Sequence, residues 1–503
     1  MKVIGAGEAV ADGALAWSRK LSVQVGGAGT VAHAGVVLPR LLADRLGLTV
    51  GLSRVLARAG FVPGRHRGRA LVDAACALAA GATCLSDIEA MTRQVEIFGP
   101  DGGASDTTML RILGELAGRL NCDGLPGRRL AAATAAARGN AWSQIAARHG
   151  TLPAVQVAGA DLTRPVVVGE QRVRPIVVVR LDATLIEADS DKEGAAGNYK
   201  GGYGFHPLTA WCSNIGDNLA VMLRPGNAGS FTAADHVALI DAAVGQIPAV
   251  WRTDVLFTID GAGASHNVID HLSRLNTHAG HGKRGRRVEY SIGWPVDERT
   301  QGAIGQLRES DWDTGLHADG SPHPEAAVTD LTGILRHGPA GDQMSGWPDD
   351  VRVIARRVPR GAAEQAKLGE DADWRYGAFA TNTPAGQIQW LDARHRTQAH
   401  VEDKVKELKA CGAQNLPSTD WNRNSSWLQL AALAASMNGW LRHLALDGQL
   451  ARAEPKALRY RLLGAPARHV THARKKILKI PPGWALAADV VTAWKRLQAL
   501  HPA

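Results

Sequence analysis

The sequence is short of cysteine, with five in 503 residues (Cys76, Cys84, Cys122, Cys212 and Cys411), scattered and without a CxxC pair. Such spacing excludes a disulfide scaffold and a structural zinc framework, and fits a reduced intracellular chain. No apolar run approaches the roughly 20 residues that span a bilayer, so no membrane partner is expected. The apolar stretch after Met1 is broken by Glu8 and Asp12, which leaves no expected signal peptide and a cytoplasmic location. Fixed-period repeats and low-complexity blocks are missing too. Net acidity is also lacking: 57 Lys and Arg face 48 Asp and Glu, for a net charge of +9 and a pI near 9.5. That balance is compatible with a polyanionic partner, since surface cations gain affinity by displacing counterions from phosphates.

What is present falls into textures. Residues 1–165 read as mainly helical and rich in Ala and Arg. Ser86-Asp87-Ile88-Glu89 has the Ser-x-x-Glu form of a capping box, predicting a helix to about Ile97. A turn at Gly99–Gly103 and a second helix from Thr107 to Leu116 complete an outline shared by a helix-turn-helix and an ordinary helical hairpin. Near Val166 the texture changes. Arg174–Asp182, RPIVVVRLD, is the β-branched run of a strand buried on both faces. Tyr203–Cys212 and Leu219–Leu223 read as strands around the turn Asn214–Asp217. Ala233–Gln246 reads as a helix, Asp254–Asp260 (DVLFTID) as a second buried strand, and Ser265–Leu275 as a helix. Three strands, a helix, a strand and a helix are the order of a ribonuclease H-like core. The Gly-rich basic loop Thr277–Arg287 follows. Residues 288–390 carry strand-like pieces (Val288–Ile292, Val351–Arg356, Ala378–Thr381) and read as a largely β insertion. Gln398–Ala410 and Ser426–Leu444 read as helices, and Lys456–Lys479 as a basic tail, either a DNA contact or a solvated surface.

Two acids end buried strands, Asp182 after VVVRL and Asp260 after DVLFTI. Phosphodiester cleavage asks for two divalent cations roughly 4 Å apart, which needs converging hard oxygen ligands. Adjacent strand ends and a helix beside them can supply those. In RHRTQAHVEDKVKELKA the spacing of Val401, Val405 and Leu408 predicts an apolar helical stripe. Glu402 lies beside it, on one face with His395, Gln398, Lys406 and Lys409. The same pattern describes a solvated surface helix with a Glu402–Lys406 pair. Glu187, Asp189, Asp191 and Glu193 read as a solvated loop, and Asp254 and Asp270 as structural. His278, His281, His395 and His400 lack a zinc spacing.

At LDATLIEADSDKE, KGGYGFHPLTAW, MLRPGNAGSFTAADH, TIDGAGASH and RHRTQAHVEDKVKELKACGAQNLP the chain resembles the DDE transposases of bacterial insertion sequences. The branch it is most similar to carries Tyr, Arg, Glu and Lys around its third acid. Glu402 and Lys409 match the last two, whereas His395 stands for Tyr and Gln398 for Arg. The resemblance implies an α/β fold: a ribonuclease H-like core (166–287 and 391–503) interrupted by a β insertion (288–390) and preceded by helical DNA-binding residues 1–165. It implies Asp182, Asp260 and Glu402 as ligands of two Mg²⁺, with Mn²⁺ able to substitute. The partners it implies are double-stranded DNA with terminal inverted repeats, target DNA and a second copy of the chain in the synaptic complex. Arg224, Lys283, Arg284, Arg286, Arg287, Arg394, Arg396, Lys406 and Lys409 are the expected DNA contacts. It also implies a bacterial, nucleoid-associated location and an insertion tryptophan against a flipped base, with Trp294 and Trp312 as candidates. The rival expectations are a catalytically inactive DNA-binding protein of this fold, and a ribonuclease H-like DNA nuclease.

Overall fold

Val177–Ala183 (β1) is the strand that its β-branched run predicts, buried from Val177 through Leu181 and partly open at Asp182. The computed structural model to which it belongs describes residue 22 and residues 24–503 apart from 101, 165, 169–170, 174–175, 189–190, 230–231, 262–263, 278–284, 362–370, 372 and 385. Leu208–Cys212 (β2) and Asp217–Met222 (β3) extend β1 as an antiparallel meander. Asp254–Ile259 (β4) and Arg287–Trp294 (β5) add parallel to β1 on its other side. Both β1 and β4 are covered on two faces, which is why their sequences are nearly continuous apolar runs. The predicted strand Tyr203–Cys212 is divided in two: Pro207 has no amide to give a ladder, and Gly204 turns the chain at φ 148°.

The strands of the expected insertion do not form a separate sheet. Asp313–Leu316 (β6), Pro322–Asp330 (β7), Arg352–Pro359 (β8) and Trp374–Thr381 (β9) continue the same sheet, in the order β3-β2-β1-β4-β5-β9-β8-β7-β6. The boundary placed at 288 falls inside β5, which pairs with β4 along its first six residues, from Arg287 to Ile292. The pieces Val351–Arg356 and Ala378–Thr381 fall in β8 and β9, β6 and β7 were not read as strands, and periodicity is silent on partners.

Helices close both faces. Val37–Arg45 (α1), Leu48–Leu56 (α2), Arg67–Ala80 (α3), Leu85–Thr92 (α4), Asp106–Ala117 (α5) and Arg128–His149 (α6) come first. The α4 cap differs from the predicted box. Cys84 Sγ accepts from the Asp87 amide, and the Asp87 carboxylate accepts from the Thr83 amide and hydroxyl, each at 2.8 Å. The helix stops at Thr92, whose hydroxyl donates back to the Ile88 carbonyl. Ala233–Gln246 (α7) and His266–Arg274 (α8) flank the sheet, followed by Ile388–Arg396 (α9), Val401–Leu408 (α10), Trp421–Ala445 (α11) and Ala487–Gln498 (α12). α11 lies against β3, α3, α5 and α6, so the early helices share one apolar core with the end of the chain. A smaller apolar cluster, with Val178, Leu256, Phe379 and Leu391, covers the other side of the sheet.

One buried carboxylate ties these layers. Asp217, on β3, accepts from Arg138 Nε at 2.8 Å, Trp142 Nε1 at 2.9 Å and Trp440 Nε1 at 3.0 Å. Arg138 and Trp142 belong to α6 and Trp440 to α11, so sheet and helices meet at a charge fully removed from water. The expected basic tail is folded as well: Ala467–His472 (β10) and Lys475–Lys479 (β11) form a hairpin, and β10 pairs with the short strand Thr30–Val31.

Candidate active site

The parallel register sets Leu181 of β1 beside Ile259 of β4, so Asp182 and Asp260 leave adjacent strands at the same end. On the far side of β4, Ile259 pairs with Ile292 of β5, which brings Gly293 against the turn after Asp260. A Cβ on Gly293 would stand 2.6 Å from the Gly261 amide nitrogen, so this close approach requires glycine. Asp260 is exposed, whereas Asp182 is partly buried. Burial, then the negative charges of Asp260 and Glu402, push the Asp182 carboxyl up to about 7, while Lys409 pulls it down. The three acids therefore share one electrostatic neighbourhood, with one lysine at its edge.

Glu402 reaches that neighbourhood by a different construction. The helix expected over Gln398–Ala410 is divided among a 3-10 turn at Thr397–His400, α10, and a wide π turn at Lys409–Ala413, with α9 ending just before it. The predicted common face is broken accordingly. Glu402 and Lys406 are exposed, and Lys409 is half-buried. Gln398 turns into the protein: it accepts from the Thr258 hydroxyl of β4 and donates to the Leu181 carbonyl of β1 at 2.7 Å. His395 lies flat on Phe379, ring centres 4.5 Å apart, with Nδ1 2.9 Å from the Ser291 hydroxyl. Burial, with the neighbouring cations Arg394, Arg180 and Arg396, holds His395 neutral by pushing its pKa down to about 3. His395 and Gln398 thus anchor the turn before Glu402.

Sequence reasoning missed Arg180. It sits two residues before Asp182, on the same face of β1, and is completely buried. Its guanidinium donates to Ser213 Oγ at 2.8 Å, to Thr258 Oγ1 at 3.4 Å and to Thr397 Oγ1 at 2.9 Å. These acceptors stand after β2, on β4 and in the turn before α10. Burial lowers its pKa, yet a guanidinium stays charged at neutral pH. The signal was in the sequence: one cation inside the otherwise apolar VVVRL. On its other side α10 is fastened by a buried ion pair, Glu407 to Arg442 of α11, at 2.8 Å.

The expected DNA contacts separate into groups. Arg224 and Arg394 are corrections, because both guanidiniums are buried and spent on protein. Arg224 donates to the His206 carbonyl at 3.0 Å and pairs with Asp235 at 3.3 Å. Arg394 pairs with Glu289 at 2.9 Å and donates to Thr383. Arg396 is bound to Asp392 and the Leu316 carbonyl, and Arg287 to Glu289. Lys283, Arg284, Asp189, His278 and His281 lie outside the described residues. Arg286 makes no ion pair among the described residues, and Lys406 has an exposed one with Asp403 at 3.1 Å. Of the acids after β1, Glu193 caps α11 by accepting from the Trp421 amide at 2.9 Å. Trp312 is committed to Arg357, which lies between it and Trp374 at 4.5 and 4.4 Å from the ring centres. Trp294 ends β5 beside the Asp260 turn and packs on Trp347, which in turn stacks on His266.

Oxygen donors and accumulated negative charge suit a hard divalent cation. Among the described residues no three His, Cys, Asp or Glu side chains are close enough to clamp one ion. The acids fit such cations in donor type and charge.

Residues 14–502 match the transposase DDE domain family, group 1, and the chain belongs to that family. No curated protein matches the sequence. A cryo-EM structure of a piggyBac transposase synaptic complex with hairpin DNA is similar over 86% of this chain and 80% of that one, at 9% identity and a TM-score of 0.39.

Proposed function

We propose that this member of the transposase DDE domain family cuts the ends of an insertion sequence and joins the freed 3′-hydroxyls to target DNA. The observation that carries the reading is that Asp182 and Asp260 leave adjacent strands at one end, with Glu402 near enough for its charge to add to the rise that burial gives the Asp182 pKa. The strand order β3-β2-β1-β4-β5, antiparallel then parallel, supports a ribonuclease H-like core. On this reading 166–287 and 391–503 are the two parts of the core, 288–390 the insertion and 1–165 a helical DNA-binding region.

Asp182, Asp260 and Glu402 would hold two magnesium ions, with manganese as substitute, which when bound supply an activated water and charge for the leaving oxygen. The chain's own residues do the rest. Asp182 must give up its proton before it can act as a ligand, and Lys409 favours that loss. Lys409 feels the charges of Glu187 and Asp182, and from there its ammonium can meet the phosphate at the cut. Arg286 and Lys406 offer further phosphate contacts by charge. In the first step a water oxygen bonds to phosphorus and the bond to the 3′-oxygen breaks. In the second that 3′-hydroxyl attacks a target phosphodiester and displaces its 3′-oxygen. Two paired ends imply a dimer in the active complex, working on DNA in a bacterial cytoplasm.

The test is incubation of the protein and Mg²⁺ with DNA carrying the inverted repeats that flank its coding sequence. Metal-dependent 3′-hydroxyl ends and strand-transfer products support the reading. Cleavage without transfer points to a nuclease. A second reading, a DNA-binding protein without catalysis, draws on His395 and Gln398, where the expected signature is not met. Binding without cleavage in either Mg²⁺ or Mn²⁺ would establish it.

A further inference from the structure

The hairpin β10–β11 is a two-stranded ribbon whose segment from Ala467 to Lys479, ARHVTHARKKILK, contains no acid. Cross-strand partners share a face, and the register is Arg468↔Lys479, Val470↔Ile477 and His472↔Lys475 on one side. On the other side it is His469↔Leu478 and Thr471↔Lys476. The two faces are used differently. His469, Lys476 and Leu478 line a groove of about 510 Å³ with Leu41 of α1 and Trp494 of α12, and Ile477 of the first face borders its edge; His469 and Leu478 are partly buried there.

The first face sets Arg468 directly opposite Lys479, and His472 opposite Lys475. Like charges directly opposed across strands are destabilising. None of Arg468, Arg474, Lys475, Lys476 and Lys479 makes an ion pair among the described residues, and all five are exposed. The strand on the other side of Arg468 contributes Thr30, which supplies no counter-charge. Between the two charged rungs lies the pair Val470 and Ile477, with Ile477 38% exposed. The tip is a two-residue turn with Ala473 at φ 47° and Arg474 at φ 63°. Such turns ordinarily take Gly or Asn. Here an arginine holds the apex in spite of the backbone cost.

We propose that this face of the ribbon is a double-stranded DNA contact, entering the major groove with Arg468, Lys479 and Lys475 on the phosphates that border it. The B-form major groove admits a two-stranded ribbon, whereas the deep, narrow groove of duplex RNA does not. The proposal rests on the DNA reading above, and adds a binding element remote in sequence from Asp182, Asp260 and Lys409.

The experiment measures affinity of the full chain for a labelled DNA duplex of about 30 base pairs and arbitrary sequence across a salt series. For Arg468→Ala/Lys475→Ala/Lys479→Ala the expectation is binding about 10- to 100-fold weaker at low salt and a salt slope reduced by roughly 2 to 3. Lys479→Glu is expected to weaken DNA binding while raising Tm, because it turns the Arg468 rung into an ion pair. Lys476→Ala, on the other face, is expected to leave affinity nearly unchanged. A triple variant with wild-type affinity and slope overturns the proposal, as does duplex RNA competing as well as DNA, or Lys476→Ala weakening binding as much as the triple variant. A wild-type protein that binds no duplex removes the DNA reading and the ribbon together. A wild-type protein that binds and cleaves while the triple variant binds unchanged removes the ribbon alone.

Discussion

Asp182 and Asp260 come from strands, and Glu402 from a helix, and the two are held by different physics. The strand acids are placed by backbone ladders: once β1 and β4 pair in parallel register, their end residues are adjacent whatever the side chains do. Glu402 is placed by side chains. Arg180 and Gln398 join the turn before α10 to β1 and β4, and the Glu407–Arg442 pair fastens the helix from behind. A ladder spreads its stability over many bonds, whereas a polar lattice depends on a few groups that are costly to leave unpaired. The helix side should therefore be the one that mutation displaces without unfolding the chain.

The largest expected effect is on the scaffold that the strands rely on. Asp217→Ala leaves Arg138 buried without its carboxylate and should cost about 3–5 kcal/mol in chemical denaturation. A loss under 1 kcal/mol would mean that the sheet and the outer helices are not joined there. Arg180→Met should do the opposite. It replaces a buried cation with an apolar side chain, so Tm stays within a few degrees, while cleavage falls on the order of 100-fold, about 2.7 kcal/mol. Equal losses of stability and turnover would make Arg180 merely structural.

The third prediction uses pH. Asp182 titrates at about 7 in the folded chain against an ordinary 3.8. Between those values the folded state keeps a proton that the unfolded state has lost, so metal-free stability falls as pH rises through that window and is flat above it. Asp182→Asn should then be more stable than the parent by about 2 kcal/mol at about pH 8 and no more stable at about pH 4. Divalent-metal affinity should rise across the same window and level off above about 7. A parent whose stability does not change between these pH values would remove the raised Asp182 pKa, and with it the burial that chiefly causes it. Gln398→Ala is the smallest effect, roughly 1 kcal/mol from the orphaned Leu181 carbonyl and Thr258 hydroxyl, with a fall in cleavage larger than the stability loss alone accounts for.

The same contrast explains what the sequence disclosed. β1, β4 and α7 were legible because buried runs and helical spacing are local, and so were the two strand-end acids. Partnership is not local: β8 and β9 were readable as strands, β6 and β7 were not, and only the pairing shows that all four extend the central sheet. The positions of Arg224 and Arg394 were read by charge, and burial reverses them, since a cation near an expected site is as readily a brace as a contact. Gln398 and His395 looked like losses from a family signature. In the fold they are what seats the helix.

The central claim is that one site needs all three acids, whichever way each is held. It is tested most directly by single-turnover cleavage of end-containing DNA in Mg²⁺ with Asp182→Asn, Asp260→Asn and Glu402→Gln beside the parent. All three should fall to a common floor at least on the order of 1,000-fold lower, with the fold intact by circular dichroism. Glu402→Gln cleaving at the parental rate with unchanged metal dependence would contradict it, leaving two strand acids and a helix that merely lies beside them.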